Sequence, residues 1–280
     1  MKQGYLMIAS GKEYVKQACL CAMSIKATQE IKNVSIVTLD EVPKKYKKLF
    51  DKIIDIPWIV DGDDTYYLTE QRWKAFHVSP YDETVVLDTD MIFLDDVSRW
   101  WKILNDFDVF LTTKVFTYRN QPVTSDFYRK AFIENKLPNL YCAFHFFKKN
   151  DKALNYYYKL EQICHNHNDY YKKFVTKSRP QVTNAKGKTF ILSSMDVNHA
   201  IATLHGDFEQ LSHDAIYFTH MKSKVQNVKD IGEKWTDTIP YYMTDDLKLK
   251  IGNYNQHGVF HYTEKSFCDS VIKKYEGKVL

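Results

Sequence analysis

Short apolar runs alternate with segments of helical periodicity along the first part of the chain. Residues 5–10 (YLMIAS) form a continuous apolar run that ends at Gly11, as is typical of a strand buried on both faces of a parallel sheet. Over residues 13–28 the apolar side chains recur at helical spacing, which predicts a helix with one face on that sheet. Residues 34–39 (VSIVTL) predict a second strand, and Pro43 begins a lysine-rich helix.

The alternation continues and reaches a group of acidic residues. Residues 52–56 are a weaker apolar run that predicts a third strand, and residues 68–78 predict a helix that Pro80 ends. Residues 84–87 (TVVL) predict a buried strand that leads directly into Asp88, Thr89 and Asp90. Alternating strands and helices predict an open, mostly parallel sheet with helices on both faces, in which ligands bind beyond the carboxyl ends of the strands. We therefore expect Ser10, Asp40 and Asp88 to lie at one edge.

The pattern loosens in the second half of the chain. It predicts a helix at residues 100–104, a strand at 109–113, a polar insertion up to Leu137, an apolar run at 141–147 and a helix at 152–164. No internal repeat or linker is apparent, so we expect one domain. The 44% apolar and 26% charged residues of this 280-residue chain exclude a disordered or collagen-like protein.

Net charge, cysteine content and the first residues of the chain bear on partners and on the cellular compartment. A net charge of +4 neither requires nor excludes a nucleic-acid partner. The five cysteines form no CxxC pair, which favours reduced thiols in a reducing compartment. The first residues contain too few consecutive apolar side chains for a signal peptide or a membrane span, so we expect a cytoplasmic protein without a membrane partner.

The most informative chemistry is the pair Asp88 and Asp90. Two carboxylates separated by one residue after a buried strand point to the same side and can share a divalent cation with the phosphate oxygens that it binds. Acidic residues at strand ends are also common solvated groups. Here the surrounding apolar runs (VVLDTDMIFLDD) place the pair in a cleft, where unpaired carboxylates would be costly, and this favours the metal interpretation.

These segments resemble the GT-A nucleotide-sugar glycosyltransferases, in particular the glycogenin-like family 8 group. The opening IASGKEYVKQACLCAMSIK resembles the nucleotide-binding first strand and helix of that family, in which a tyrosine packs on the nucleobase; Gly11 replaces the family's usual asparagine. The segment LTEQRWKAFHVSPYDETVVLDTDMIFLDD resembles its DxD region, with a basic residue facing the donor. The nucleotide-sugar residues implied are Ile8, Ala9, Ser10, Tyr14, Asp40, Arg72, Asp88 and Thr89.

Two later segments extend the resemblance. AIYFTHMKSK resembles the family's late strand, which implies His220 as the third metal ligand after Asp88 and Asp90, and Lys222 or Lys224 on the diphosphate. The segment around Asp196 resembles the acidic stretch that lines the acceptor side, so Asp196 and Asp90 are the implied catalytic residues. A serine followed by Asp196 is also an ordinary helix start. The implied cofactor is Mn²⁺ or Mg²⁺, and the implied donor is a UDP-sugar such as UDP-glucose.

The resemblance implies a GT-A, Rossmann-like α/β domain over residues 1–225 and a C-terminal extension over residues 226–280. TYRNQPVTSDFYRKAFIENKLPNLYCAFHFFKK and HGVFHYTEKSF are also similar to glycosyltransferases of tailed bacteriophages, some of which glycosylate hydroxymethylated pyrimidines in DNA. Residues 170–195 contain no carboxylate, so double-stranded DNA is a candidate partner, although a solvated loop explains the same pattern. The basic residues of this stretch are Lys172, Lys173, Lys177, Arg179, Lys186 and Lys188.

Other functions fit parts of the pattern. A saccharide, lipid-linked sugar or protein acceptor would use the same donor site. A nucleotidyltransferase is disfavoured because the expected phosphate loop near the first strand is missing, and a binding module with an inactive metal site is the non-enzymatic alternative. The resemblance implies retention of anomeric configuration, whereas an inverting route would need a base such as Asp196 or His261.

Overall fold

The computed structural model describes residues 1–57, 71–123, 129–183, 187–204, 211–222, 226 and 234–280. The strands are β1 (Gln3–Ala9), β2 (Val34–Thr38), β3 (Lys52–Ile54), β4 (Glu83–Leu87), β5 (Met91–Phe93), β6 (Val109–Thr112), β7 (Val115–Phe116), β8 (Tyr141–Lys148), β9 (Gln181–Thr183), β10 (Thr189–Ile191), β11 (Phe218–His220), β12 (Tyr241–Met243), β13 (Leu249–Ile251), β14 (Tyr254–Asn255) and β15 (Val259–His261). The α-helices are α1 (Lys12–Thr28), α2 (Ala75–Val78), α3 (Trp100–Leu104), α4 (Lys130–Glu134), α5 (Asp151–His165), α6 (His167–Phe174), α7 (Met195–Leu204) and α8 (Lys265–Val279). Short 3₁₀ helices span Lys44–Leu49, Gln71–Lys74 and Trp235–Asp237.

The central sheet has the strand order β3-β2-β1-β4-β8-β6 in the described part of the chain. β1 runs parallel to β2 and β4, and β2 runs parallel to β3, whereas β8 is antiparallel to β4 and β6. The strands β2 and β4 are buried at every position, as their lack of alternation between apolar and charged residues predicts for a sheet covered on both sides. The predicted mostly parallel α/β sheet is confirmed.

Helices cover both faces of this sheet. On one face, α1 and α8 pack on the sheet in an apolar cluster that includes Leu20, Met23 and Tyr275. On the other face, α5 and α7 belong to a second cluster with Tyr157, Leu160 and others. The helical periodicity read from residues 13–28 therefore identifies a real core-facing helix.

A second sheet brings the C-terminal part of the chain to the edge where β4 ends. Its order is β5-β15-β11-β7, with β15 parallel to β11 and antiparallel to β5. β15 and α8 both belong to residues 226–280, and α8 packs on α1. The boundary at residue 225 stays a prediction, but residues beyond it contribute directly to the second sheet.

Two glycines are required by local geometry. A Cβ on Gly4 in β1 would lie 2.5 Å from the ring of Tyr81, whose hydroxyl is 2.7 Å from Ser35 Oγ in β2. Gly11 begins α1 with a φ of 101°, in the region that favours glycine. This conformation gives a physical reason for glycine at position 11, where the resembled family has asparagine.

Most predicted elements are found within two residues of their expected bounds. The lysine-rich helix after Pro43 is a 3₁₀ helix, Lys44–Leu49, and the helix predicted at residues 68–78 is a 3₁₀ helix that continues into α2, with residues 58–70 outside the described part. All five cysteines are buried thiols outside any disulfide. Among the described residues, no helix is both long enough and apolar enough to cross a bilayer.

Candidate active site

The two acidic residues of the DxD segment lie in the tight connection between β4 and β5. The backbone N–H of Asp88 donates to Ala143 O of β8 at 2.9 Å, and Asp90 O accepts from the backbone N–H of Tyr262 at 3.0 Å. The connection is therefore held between the central sheet and the segment that follows β15. This places both carboxylates beyond the carboxyl end of β4, as the strand pattern predicts.

His261 completes a metal-type group with these carboxylates. β15 pairs antiparallel with β5, so His261 lies opposite Met91, next to Asp90 in the chain. Its Nε2 atom is 3.0 Å from Asp90 Oδ1 and 3.9 Å from Asp88 Oδ2. Across the described ranges, ligand atoms of one such group converge within 4.8 Å, namely those of Asp88, Asp90 and His261. Two carboxylates and an imidazole are a donor set that fits a divalent cation.

His220, the third ligand implied by the resemblance, lies outside that group. It ends β11, the parallel neighbour of β15, and its ring stacks on His261 with centroids 4.7 Å apart and an interplanar angle of 19°. The structure therefore places His261 against the carboxylates and His220 behind it. The sequence does not distinguish the two histidines, because residues 218–220 (FTH) and 259–261 (VFH) both form short buried strands that end in histidine.

The charges in this group stabilise one another. Burial raises the pKa of Asp90, but His261 outweighs that effect and holds the pKa below its usual value. Conversely, burial lowers the pKa of His261, and the carboxylates of Asp90 and Asp88 more than reverse the shift. Asp90 is thus kept ionised, which is the form that binds a cation.

Basic groups surround the carboxylates. Arg72, on the 3₁₀ helix Gln71–Lys74, forms an ion pair and hydrogen bond with Asp88 Oδ1. Burial lowers the pKa of Arg72, but Asp88 raises it further, so the guanidinium stays charged. Lys222 follows β11 and is exposed as a whole residue, but partial burial of its ammonium group lowers its pKa. The negative charges of Asp196, Asp90 and Asp88 act in the opposite direction. Lys224, the alternative to Lys222, lies outside the described residues.

Asp196 lies in the first turn of α7 and faces the same group of charges. Its Oδ1 atom accepts from the backbone N–H of Cys142 at 2.9 Å, and its Oδ2 atom accepts from Arg129 Nη1 at 2.8 Å. The charge of Asp196 also contributes to the raised pKa of Arg72. Sequence reasoning missed Arg129, because it lies in the polar insertion and belongs to no recognisable motif.

The proposed nucleoside residues gather at the carboxyl ends of β1 and β2. Ile8 and Ala9 end β1, Ser10 follows, and the N–H of Gly11 donates to Asp40 Oδ2 at 2.6 Å. The ring of Tyr14 is 45% exposed, and the ammonium of Lys265 lies 4.7 Å from its centroid. Thr89 is buried in the DxD connection. Lys265 begins α8, so the C-terminal extension also reaches this part of the site.

The basic stretch leads along the chain to Asp196. Lys172 and Lys173 are exposed on α6, and Lys172 forms an ion pair with Asp169 at 3.1 Å. Lys177 is exposed, whereas Arg179 is partly buried and its Nε–H donates to Val175 O at 2.8 Å. Lys188 is exposed beside β10, and Lys186 lies outside the described residues. The hairpin of β9 and β10 precedes α7 and therefore connects this stretch to Asp196.

Comparisons with known proteins bear on the fold. No protein-family model matches the sequence, and no curated protein matches it. The structure is similar to the WbbM bifunctional glycosyltransferase in its apo form, with a TM-score of 0.52, 10% identity, and coverage of 98% of this chain and 49% of that chain. This similarity shows a shared fold.

Two further structures are similar at lower TM-scores. The glycosyltransferase GlyE of Streptococcus pneumoniae TIGR4 has a TM-score of 0.43 and 12% identity, with coverage of 76% of this chain and 45% of that chain. Mouse xyloside xylosyltransferase 1 in its apo form has a TM-score of 0.47 and 12% identity, with coverage of 76% of this chain and 84% of that chain. The chain spans about half the length of GlyE and of WbbM.

Proposed function

We propose that this protein is a metal-dependent glycosyltransferase that uses a nucleotide sugar as donor. The observation that supports this function is the convergence of Asp88, Asp90 and His261 within 4.8 Å, with Arg72 bound to Asp88, at the carboxyl end of β4. Carboxylates, imidazole and guanidinium at this edge of an α/β sheet suit a metal-bound diphosphate. The shared fold with the WbbM glycosyltransferase agrees with this proposal.

The chemistry follows from the charges of the site. A nucleoside diphosphate leaves the sugar readily only when the charge that develops on its phosphate oxygens is neutralised, and a bound Mn²⁺ or Mg²⁺ supplies part of that neutralisation. Asp88, Asp90 and His261 would hold the cation. Arg72 and Lys222 supply positive charge beside it, and Asp196 accepts a hydrogen bond from the acceptor hydroxyl and so orients it. We propose retention of anomeric configuration, in agreement with the resemblance to family 8.

The nucleoside would bind at the ends of β1 and β2. The exposed ring of Tyr14 offers a face for the base, and Asp40 is held next to the backbone of Ser10 and Gly11. Lys265 lies over the ring of Tyr14, so a base that stacks on the same face would displace its ammonium. We propose uridine as the nucleoside, as the resemblance implies.

We further propose that the acceptor is a 5-hydroxymethylpyrimidine in phage DNA. The basic stretch supports this acceptor, because it has exposed lysines and runs directly into the helix that carries Asp196. Neutralisation of phosphates by such residues gives a salt-dependent affinity for duplexes. A saccharide, lipid-linked or protein acceptor is the alternative, because the donor site would be the same.

The test is sugar transfer by the purified full chain. UDP-glucose and other UDP-sugars are offered with Mn²⁺ or Mg²⁺ against hydroxymethylated DNA, unmodified DNA and oligosaccharides, and mass spectrometry identifies the products. We expect a metal-dependent sugar-mass addition to hydroxymethylated DNA that Asp90→Asn abolishes and that Asp106→Asn, at an exposed position, preserves. Transfer to oligosaccharides alone would overturn the DNA acceptor, and no metal-dependent turnover of any donor would overturn the glycosyltransferase.

Duplex affinity tests the basic stretch separately. We expect neutralisation of Lys177, Arg179 and Lys186 to weaken binding to duplex DNA and to reduce its dependence on salt, without changing donor hydrolysis. Binding that is absent, or unaffected by these changes, would exclude this stretch as a DNA surface.

A further inference from the structure

Arg129 is a buried arginine at the start of α4, in the polar insertion. Arg129 is 4% exposed. Its guanidinium lies between two aromatic rings, 3.8 Å from the ring centroid of Phe132 and 4.1 Å from the ring centroid of Tyr141. A buried guanidinium is costly unless its donors are paired, and stacking between rings fixes its plane. Arg129 is thus held in one orientation.

The donors of Arg129 are directed to three acceptors. Nε donates to Asn139 Oδ1 at 2.7 Å, Nη2 donates to Leu140 O, and Nη1 donates to Asp196 Oδ2 at 2.8 Å. Two of these acceptors belong to the chain that enters β8, and the third is the site carboxylate. The geometry therefore ties the start of β8, the insertion and α7 together through one side chain.

Asp196 is anchored at both oxygens. Besides Arg129, the backbone N–H of Cys142 donates to its Oδ1 atom at 2.9 Å, so the carboxylate plane is fixed. Burial raises the pKa of Asp196, but Arg129 and the N–H of Cys142 lower it further, so the group stays ionised and is a poor proton acceptor. A carboxylate has about four lone-pair sites, and the Asp196 side chain keeps 22% exposure, so it can still accept from a bound hydroxyl.

Arg129 also contacts the site from a second direction. Tyr141, which stacks on the guanidinium, lies edge to face against His220 with centroids 6.1 Å apart. His220 in turn stacks on the candidate metal ligand His261. One packed series of rings thus connects the anchor of Asp196 to the cation site.

We propose that Arg129 is a positioning residue that fixes the Asp196 carboxylate as a stationary acceptor for a substrate hydroxyl. This inference rests on the proposed function. It assigns Asp196 an orienting role and disfavours an inverting mechanism with Asp196 as general base. Lysine at position 129 would retain the positive charge. It has no planar group that could donate to all three acceptors in fixed directions or stack between the two aromatic rings, so charge alone does not replace the guanidinium.

The test is a double-mutant cycle with the full chain. The variants are Arg129→Lys, Arg129→Gln, Asp196→Asn and Arg129→Gln/Asp196→Asn, with Lys130→Gln as a control that removes an exposed charge from the same helix. We expect Arg129→Lys and Arg129→Gln to lower kcat by about 10- to 100-fold with a nearly unchanged KM for the donor. In the Asp196→Asn background, Arg129→Gln should add less than about 3-fold, because residues that act as one unit are not additive. An equal loss of kcat in both backgrounds would overturn the proposal.

A spectroscopic measurement decides the same point without turnover. Aspartate labelled with ¹³C at Cγ gives a resonance for Asp196, assigned by its loss in Asp196→Asn. We expect its titration midpoint to move to higher pH in Arg129→Gln and to stay in place in Lys130→Gln; an unmoved midpoint in Arg129→Gln would overturn the proposal. If the wild-type chain shows no metal-dependent donor turnover, the proposed function fails, and this titration still decides whether Arg129 controls Asp196. If Arg129→Gln does not fold, the kinetic cycle is run with Arg129→Lys in the wild-type and Asp196→Asn backgrounds, and an equal loss of kcat in both would overturn the proposal.

Discussion

At the scale of single residues, His261 and His220 offer a direct contrast at the cation site. His261 Nε2 faces both aspartates, whereas the ring of His220 stacks on the ring of His261. We predict that His261→Gln weakens Mn²⁺ binding by more than about 100-fold and that His220→Gln weakens it by less than about 10-fold, because loss of a ligand exceeds loss of a supporting contact. Calorimetric titration with Mn²⁺ measures both, and a larger loss in His220→Gln would restore the assignment that the resemblance implied.

Single residues also show where sequence reasoning was sufficient. Asp88 and Asp90 could be identified from the sequence because a buried strand leads directly into them, and burial makes unpaired carboxylates improbable. The position of His261 depends on the antiparallel pairing of β15 with β5, a contact between residues separated by about 170 positions. Nothing local distinguishes His261 from His220, because each ends a short buried strand. Arg129 could not be found for a similar reason, since its partners are brought together only by the tertiary fold.

At the scale of elements, α8 attaches the C-terminal segment to the donor side of the domain. Its buried residues Phe267, Cys268, Val271, Ile272 and Tyr275 face the core cluster that contains α1, and Tyr46 donates to Glu276 on its outer edge. The same helix begins with Lys265 over Tyr14. Packing of α8 therefore supports the geometry around Tyr14, where we propose that the nucleoside binds.

We predict that Phe267→Ala lowers the free energy of unfolding by about 3–5 kcal/mol, because Phe267 is fully buried among Trp235, Tyr241 and Tyr262. Urea unfolding measures the change, with Lys273→Ala at an exposed position of the same helix as the control. A loss in Phe267→Ala no larger than that of the control would contradict the packing of α8 described here.

The elements themselves follow the sequence closely where one period dominates. The buried strands β1, β2 and β4 and the helices α1 and α5 have continuous apolar runs or clear helical periodicity, and each lies within two residues of its predicted bounds. The lysine-rich segment after Pro43 lacks an apolar face long enough for a regular α-helix, and it forms a 3₁₀ helix. The strands of the second sheet are two or three residues long, too short for any period to be recognised.

At the scale of the whole molecule, a buried histidine pair links stability to pH. His145 Nδ1 is 2.7 Å from Cys142 O, and its ring lies 5.3 Å from that of His199. Burial lowers the pKa of His145 to about 4 and lowers that of His199 well below its usual value. Both rings are therefore neutral in the folded protein near neutral pH.

We predict that the protein loses stability as the pH falls from about 6.5 to 4. The unfolded chain binds a proton at each histidine near the ordinary pKa of about 6.5, whereas the folded chain does not, so unfolding takes up protons in this window. Each histidine contributes a slope of about 1.4 kcal/mol per pH unit. The variant His145→Asn retains a donor near the Nδ1 position but lacks the titrating ring. Between pH 6 and 4.5 its free energy of unfolding, measured with urea, should fall less steeply with decreasing pH than that of the wild-type protein. Equal slopes in the two proteins would contradict a neutral buried His145.

The central claim is that Asp88, Asp90 and His261 form the metal site of a nucleotide-sugar enzyme. Calorimetric titration of UDP into the full chain, with and without Mn²⁺, tests it most directly, with Asp90→Asn and Asp106→Asn as matched variants. We expect UDP to bind tightly only with Mn²⁺, to lose that binding in Asp90→Asn and to keep it in Asp106→Asn. Binding of UDP that needs neither Mn²⁺ nor the Asp90 carboxylate, or no binding by the wild-type chain, would contradict the claim.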